Sequence, residues 1–308
     1  MIPQPSALVL TGPTGCGKTA LGIELAGRLG AEIVSMDSMA LYRGMDIGTA
    51  KPTLEERRRV PHHLLDILDP WESASVAWWL QKAGEAVRDI EARGKRALFV
   101  GGTPLYLKAL LRGLFDGPPA DVPLRQRLTA EAEQVGSQVL HHRLAGVDPT
   151  TANRIHPHDV RRIIRALEVW ESTGQPISFW QKQWAESKPS QAADGVPKVL
   201  CLDLPRAELY ARIEARVRHM IAAGLVEEAA ALRRLPHPMS REASQALGYR
   251  ELFDYLDGKV GLEEAIQRIQ IRSRNLAKRQ LTWFRHLPEC RLITPQLTFA
   301  AWGLTMDE

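Results

Sequence analysis

Short apolar runs and longer helical stripes alternate along the first hundred residues. Ala7-Leu8-Val9-Leu10 is a continuous apolar run, too short for a helix and suited to a buried strand. From Thr19 to Leu29, Leu21, Leu25, Ala26 and Leu29 recur at helical spacing, and Gly30 supplies the stop. Glu32-Ile33-Val34-Ser35-Met36 then gives a second strand and Arg96-Ala97-Leu98-Phe99-Val100 a third. Between them Trp78, Trp79, Ala83, Ala86, Val87 and Ile90 mark a helix whose stripe belongs to a core rather than to a base-stacking surface. Strands separated by helices predict a parallel sheet of the α/β class.

The pattern changes near Gly117. Gly117-Pro118-Pro119-Ala120-Asp121-Val122-Pro123 has the composition of a linker, and the next seventy or so residues carry helical periods without a convincing strand. Within them Asp159 can cap a helix from Val160 to Thr173 that stops at Gly174. Trp180 and Trp184, one turn apart, suit core packing better than base stacking. A second linker, Ala185 to Lys198, precedes the strand Val199-Leu200-Cys201-Leu202. Helices follow over Ala207 to Ala223, Leu225 to Leu235, Gly248 to Leu256 and Leu262 to about Arg285. The organisation expected is a discontinuous core, 1–116 with 198–308, interrupted by a helical insertion over 117–197.

At 308 residues, with 44% hydrophobic and 25% charged positions, the chain suits a globular protein of two domains or one with an insertion. A net charge of +4 is compatible with a nucleic-acid partner without requiring one. Cys16, Cys201 and Cys290 are odd in number and far apart, which argues against a disulfide framework or zinc ribbon and for a reducing cytoplasm. No apolar run approaches the length of a membrane span, and no signal peptide is evident.

Chemistry enters with Gly12-Pro13-Thr14-Gly15-Cys16-Gly17-Lys18-Thr19, which satisfies G-x-x-x-x-G-K-[ST] between a predicted strand and a predicted helix. Backbone N–H groups of such a loop converge on an anion, aided by the helix N-terminus. Lys18 adds a charge for outer phosphates, and the Thr19 hydroxyl is placed to hold Mg²⁺. The core is therefore P-loop NTPase-like. In such sheets ligands collect beyond the carboxyl ends of the strands, where Asp37-Ser38 and the turn Gly101-Gly102-Thr103-Pro104 also fall. Asp37 there can act as a general base, hold a metal through water, or simply cap the next turn. Tyr42 to Pro52, rich in Gly and polar residues, has the character of an ordered active-site loop, and Pro61-His62-His63 lacks metal-pair spacing.

The basic positions are concentrated. Arg161 and Arg165 share a helix face beside Arg162, with Ile163 and Ile164 among the apolar residues. No acidic residue lies between Glu264 and Glu289, whereas Arg268, Arg272, Arg274, Lys278, Arg279 and Arg285 form two flanks around an apolar middle. Lacking i,i+4 acidic partners, those flanks suggest a polyanionic ligand.

Several of these segments together resemble the tRNA dimethylallyltransferase family. The resemblance is carried by Gly12 to Thr19, Asp37-Ser38, Tyr42 to Pro52, Pro61-His62-His63, Val100-Gly101-Gly102-Thr103, Arg154-Ile155-His156-Pro157, Arg161-Arg162 with Arg165-Ala166-Leu167-Glu168, Leu247-Gly248-Tyr249, and Ala277 to Arg285. It implies transfer of a dimethylallyl group from dimethylallyl diphosphate to N6 of the adenosine just 3′ of the anticodon, with Mg²⁺. The loop would then grip a diphosphate leaving group, Asp37 would take the amine proton, and Thr103 would lie at the reacting centre. The resemblance further implies tRNA contact by Asp37, Ser38, Met39, Ala40, Thr103, Arg125, Arg161, Arg162, Ile163, Ile164, Arg165, Gln245, Gly248, Tyr249, Arg250, Lys278, Arg279, Gln280, Trp283 and Arg285. The insertion would grasp the anticodon stem-loop. Ala40 departs from the Gln or Leu of many relatives, and removes a possible polar contact.

Two other readings fit the loop: a nucleotide kinase or a prenyltransferase acting on free adenosine phosphates, and a non-catalytic RNA-binding module switched by nucleotide. The expected protein is a monomeric cytoplasmic transferase without membrane association.

Overall fold

In the computed structural model the first apolar run becomes β1 (Leu8–Thr11), and the remaining strands are β2 (Ala31–Ser35), β3 (His62–His63), β4 (Arg96–Val100), β5 (Val199–Leu202) and β6 (Cys290–Ile293). The structure describes residues 7–114, 117–186 and 198–304, the side chains of 183–186 excepted; the Trp184 side chain and most of the second linker lie outside them. All strand pairs are parallel, in the order β3-β2-β4-β1-β5-β6. Parallel strands buried on both faces need no alternation, which is why β1, β4 and β5 appear in the sequence as near-continuous apolar runs. Successive residues serve opposite cores: Val9 and Phe99 pack with Trp79, Tyr106 and Phe284, while Leu10 and Leu98 pack with Ile23, Leu25 and Ile213.

The sheet order positions the site. The chain leaves β1 past β4 to reach β2, but leaves β4 past β1 to reach β5, so the two connections run in opposite directions. The crevice outside the carboxyl ends of β1 and β4 is such a switch point, and it lies between the phosphate loop and Gly101-Gly102-Thr103.

Two strands were not expected. β3 is two residues long, built from His62 and His63, and β6 carries the exposed Arg291 and Leu292 on the sheet edge. Neither offers an apolar run, so only pairing with β2 and β5 makes them strands.

The chain divides into two compact units, Met1–Leu111 with Ser190–Glu308, and Arg112–Pro189. The second contains the helices Val122–Val135, Ser137–Val147, Pro149–Ala152, Val160–Thr173 and Ile177–Glu186. Its core is Leu128, Leu140, Leu144, Ile163, Leu167 and neighbours, with Trp180 packed against it. Asp159 caps the central helix through the Arg162 amide, and Gly174 ends it at φ +69°. Among the described residues no helix is long and apolar enough to cross a membrane.

Candidate active site

The loop from Gly12 to Gly17 owes its shape to glycine. Gly15 and Gly17 hold φ values of +84° and +90°, which side chains on an L residue rarely accept, and the helix Lys18–Leu29 starts directly afterwards. The Lys18 ammonium reaches back over the loop to donate to the Pro13 carbonyl at 2.7 Å. Cys16 is buried, a small core residue rather than an exposed thiol.

Across the crevice, the turn after β4 approaches the end of β2 closely. A Cβ on Gly101 would stand 2.2 Å from the Met36 carbonyl oxygen, so only glycine permits the approach. That closeness brings Thr103 to Asp37-Ser38: the Thr103 hydroxyl accepts from the Ser38 amide at 3.1 Å. Asp37 Oδ1 accepts from the Met39 amide at 2.8 Å. One carboxylate oxygen thus caps the turn, and capping and proton acceptance are compatible because they use different oxygens.

A cavity of about 120 Å³ gathers Thr14, Lys18, Thr19, Ser35, Asp37, Lys51, His62, Arg216 and Gln280, with apolar walls from Ile33, Ala40, Ala50, Pro52, Leu65 and Val100. Of the residues expected at the site, Thr14, Lys18, Thr19, Asp37, Ala40 and Gln280 line it directly, and Ser38 and Thr103 adjoin Asp37. Met39 instead packs partly buried against the core.

Arg216 had no distinguishing mark in the sequence. It lies on the helix Arg206–Ala222, among charged residues of ordinary helical spacing. Its Nη2 donates to the Thr14 hydroxyl at 2.9 Å, and it has no carboxylate in ion-pair distance among the described residues. Burial pushes its pKa down, opposed by the charge of Asp37. A desolvated cation beside a phosphate loop is well suited to a polyphosphate.

Gln280 takes a different place from that expected. Its side chain is buried and spans the crevice floor, accepting from the Thr14 amide at 2.9 Å and donating to the Gly102 carbonyl at 2.6 Å. It ties the phosphate loop to the Thr103 turn.

The expectation that the long helix Leu262–Arg285 carries unpaired charge needs correction. Its partners are supplied by other elements: Arg272 pairs with buried Glu251, Arg274 with Glu214, Arg285 with Asp203, and Arg268 with Asp254 as well as Glu264 in the helix's own first turn. Of the six basic side chains, Lys278 and Arg279 have no such partner among the described residues. Arg250 and Arg279 are both close enough to depress the pKa of Arg272, which burial lowers most. Trp283 is 42% exposed, and Gln245, Arg250, Lys278, Arg279 and Arg285 are also exposed.

Other expected RNA contacts are turned inward. Tyr249 is wholly buried, Gly248 is buried too, and Ile163 and Ile164 lie in the helical unit's core. The side chains of Tyr249, Ile163 and Ile164 are taken up by packing. Arg125 and Arg165 flank the fully buried Glu168, whose carboxylate also accepts from the Asp121 amide. Arg162 pairs with Asp159, and Arg161 is exposed. Of the paired histidines, His63 bonds Glu32 at 2.7 Å and His62, at the cavity, bonds the Val60 carbonyl. Among the described residues no cluster of three metal-ligating side chains occurs.

A phosphate loop heading a parallel sheet, with two cations, Lys18 and Arg216, and the Asp37 carboxylate in one crevice, defines a phosphate-loop α/β protein. A family model described as IPP transferase matches residues 40–287, and one described as Isopentenyl transferase matches residues 5–66. A tRNA dimethylallyltransferase of Geobacillus kaustophilus is 48% identical over 281 residues, covering 90% of this chain and 87% of the relative. One from Geobacter metallireducens is 48% identical over 280 residues, covering 90% and 89%. The crystal structure of a tRNA isopentenylpyrophosphate transferase from Bacillus halodurans superposes with a TM-score of 0.66 at 41% identity, covering 95% of this chain and 90% of that one. A eukaryotic dimethylallyltransferase acting on tRNA gives 0.74 at 28% identity, covering 97% and 76%. The chain belongs to the IPP transferase family.

Proposed function

We propose that this protein transfers a dimethylallyl group from dimethylallyl diphosphate to N6 of the adenosine 3′ of the anticodon in tRNA, releasing diphosphate. The observation that carries the reading is the meeting, in one crevice, of two cations for a leaving diphosphate, Lys18 and Arg216, with the Asp37 carboxylate.

The allylic C–O bond breaks with its electron pair going to the diphosphate. The loop amides, Lys18 and Arg216 offset that growing charge inside the cavity, where fixed dipoles and charges act more strongly than in bulk water. The N6 lone pair forms the new C–N bond, and Asp37 takes the proton that N6 then loses. Thr103, whose hydroxyl accepts from the Ser38 amide beside Asp37, would orient the amine. The donor set also suits Mg²⁺, which keeps waters and binds through few protein groups when phosphate is present. The Thr19 hydroxyl, with Asp37 through water, would hold the ion, which would add positive charge at the diphosphate.

The target base must leave its stack to enter a cavity of this kind. Arg250, Lys278, Arg279 and Trp283 on the core unit, and Arg161 and Arg162 on the helical unit, offer accessible cations and an aromatic face for the RNA. The helical unit grasps the anticodon stem-loop, and a single chain supplies every group named.

The test is mass spectrometry of tRNA incubated with the protein and dimethylallyl diphosphate. N6-dimethylallyladenosine should form in tRNA and in an isolated anticodon stem-loop, and Asp37→Ala should abolish it while diphosphate still binds. Prenylation of free adenosine phosphates in preference to the stem-loop, or tRNA binding without product, would refute the assignment.

A further inference from the structure

The loop Tyr42–Pro52 forms one wall of the active-site cavity through Thr49, Ala50, Lys51 and Pro52. It has little regular structure, and Ala50 sits at φ +52°, a left-handed conformation that alanine adopts only when its surroundings impose it. One imposing contact is local: the buried Lys51 ammonium donates to the Tyr42 carbonyl and to Asp46 and Asp66. The other comes from some 180 residues away in sequence.

Glu228, on the helix Leu225–Arg233, points its carboxylate into the turn of the loop. Oε2 accepts from the amides of Asp46 at 2.9 Å and Ile47 at 2.8 Å, and Oε1 accepts from the amide of Gly48 at 3.1 Å. Three successive backbone N–H groups converging on one anion form a nest, here filled by a protein carboxylate. Oε1 also accepts from the Tyr249 hydroxyl at 2.7 Å. The Tyr249 ring lies against Gly48 so closely that a Cβ there would be 2.5 Å from Cζ. The anchored residues then hold the wall: the Ala50 amide donates to the Ile47 carbonyl and the Lys51 amide to the Asp46 carbonyl, both at 3.0 Å.

We propose that Glu228, oriented by Tyr249, is a positioning residue for the prenyl transfer, fixing the Thr49–Pro52 wall against which the substrates are aligned. This rests on the transferase reading given above. Charge-assisted bonds to three consecutive amides are strong for their number, and misplacement of a wall by about 1 Å can cost two orders of magnitude in rate. The phosphate loop makes none of these bonds, so diphosphate affinity is independent of them.

The experiment compares Glu228→Gln and Tyr249→Phe with the wild type. Glu228→Gln keeps the side-chain shape but replaces one acceptor oxygen by a donor, and Tyr249→Phe keeps the ring on Gly48 and removes only the hydroxyl. Single-turnover transfer to an anticodon stem-loop should fall roughly tenfold or more in Glu228→Gln and severalfold in Tyr249→Phe, with the Kd for inorganic diphosphate within about twofold of wild type. Glu228→Asp should recover part of the rate. Amide hydrogen exchange over 46–51 should accelerate in both variants, a readout that holds whatever the wild type catalyses. Exchange unchanged in a folded Glu228→Gln would overturn the anchoring, exchange unchanged in Tyr249→Phe the orienting role of Tyr249, and faster exchange with an unchanged transfer rate the catalytic consequence. A wild type without prenylated product would instead refute the transferase reading alone.

Discussion

Arg216→Met should make the protein more stable without ligand and weaker toward diphosphate. The guanidinium is desolvated, and among the described residues its one hydrogen-bond partner is the neutral Thr14 hydroxyl. Effective burial of an ion costs several kcal/mol, whereas one hydrogen bond returns about 1 kcal/mol. Asp37 offsets part of the difference without forming an ion pair. Replacement by an apolar side chain of similar length should therefore stabilise the free protein by about 1–2 kcal/mol, read as a Tm higher by roughly 2–6 °C. Charge-assisted contacts to phosphate contribute about 1.5–3 kcal/mol, so the Kd for inorganic diphosphate should rise about 10- to 150-fold. Arg216→Lys, which keeps the charge but loses the planar fork, should fall between. Thermal unfolding with and without diphosphate, together with titration calorimetry, measures both effects in one preparation. A variant less stable than wild type whose diphosphate affinity stays within twofold would refute the reasoning, because Arg216 would then be a structural group.

Three further outcomes follow from buried polar groups. Gln280→Leu leaves the Thr14 amide and the Gly102 carbonyl without their partner, and should cost about 2–4 kcal/mol in denaturant unfolding and lower transfer more than tRNA binding. A tRNA affinity reduced in step with the rate would show that Gln280 acts on RNA after all. Burial holds the His62 pKa below its ordinary value, so the unfolded chain binds the extra proton first as pH falls below about 6.5, and stability must then decline with falling pH. His62→Gln should flatten that decline below about pH 6.5, and an unchanged slope would count against an imidazole held neutral by the fold. Glu168→Gln leaves Arg125 and Arg165 facing a neutral amide in the helical unit's core, and should destabilise that unit by about 3 kcal/mol, monitored by hydrogen exchange of 160–173. Unaltered exchange there would remove the structural role of the pair.

What could be read from the sequence depended on whether the signal was local. The phosphate loop, the strands β1, β4 and β5 and the helix Leu262–Arg285 carry their own glycine placement, apolar runs or 3.6-residue period. Asp37 and Thr103 followed from a rule about strand ends, which needs only the strands to be right. His62–His63 and Cys290–Ile293 become strands through neighbours distant in sequence, and nothing in their own residues announces it. Arg216 was invisible for the same reason: an arginine on a charged helix is distinguished only by what the fold sets opposite it, here Thr14, 202 residues earlier.

The same dependence on distant partners changes what the basic helix means. Its run without acidic residues suggested a face whose charge only a polyanion could balance, yet Glu251, Asp254, Glu214 and Asp203 arrive from other elements to pair four of its arginines. Charge balance within a helix is therefore a poor gauge of charge balance in the fold. The surviving support for an RNA surface is narrower: Lys278 and Arg279 without carboxylate partners among the described residues, Arg250 and Arg279 both close to Arg272, and Trp283 exposed. If these cations contact phosphates, the salt dependence of tRNA binding should fall by about one unit of slope for each removed. Lys278→Gln and Arg279→Gln should each show that loss. Arg274→Gln, whose charge is already paired with Glu214, should show little, and an equal loss there would restore the whole flank as the binding surface.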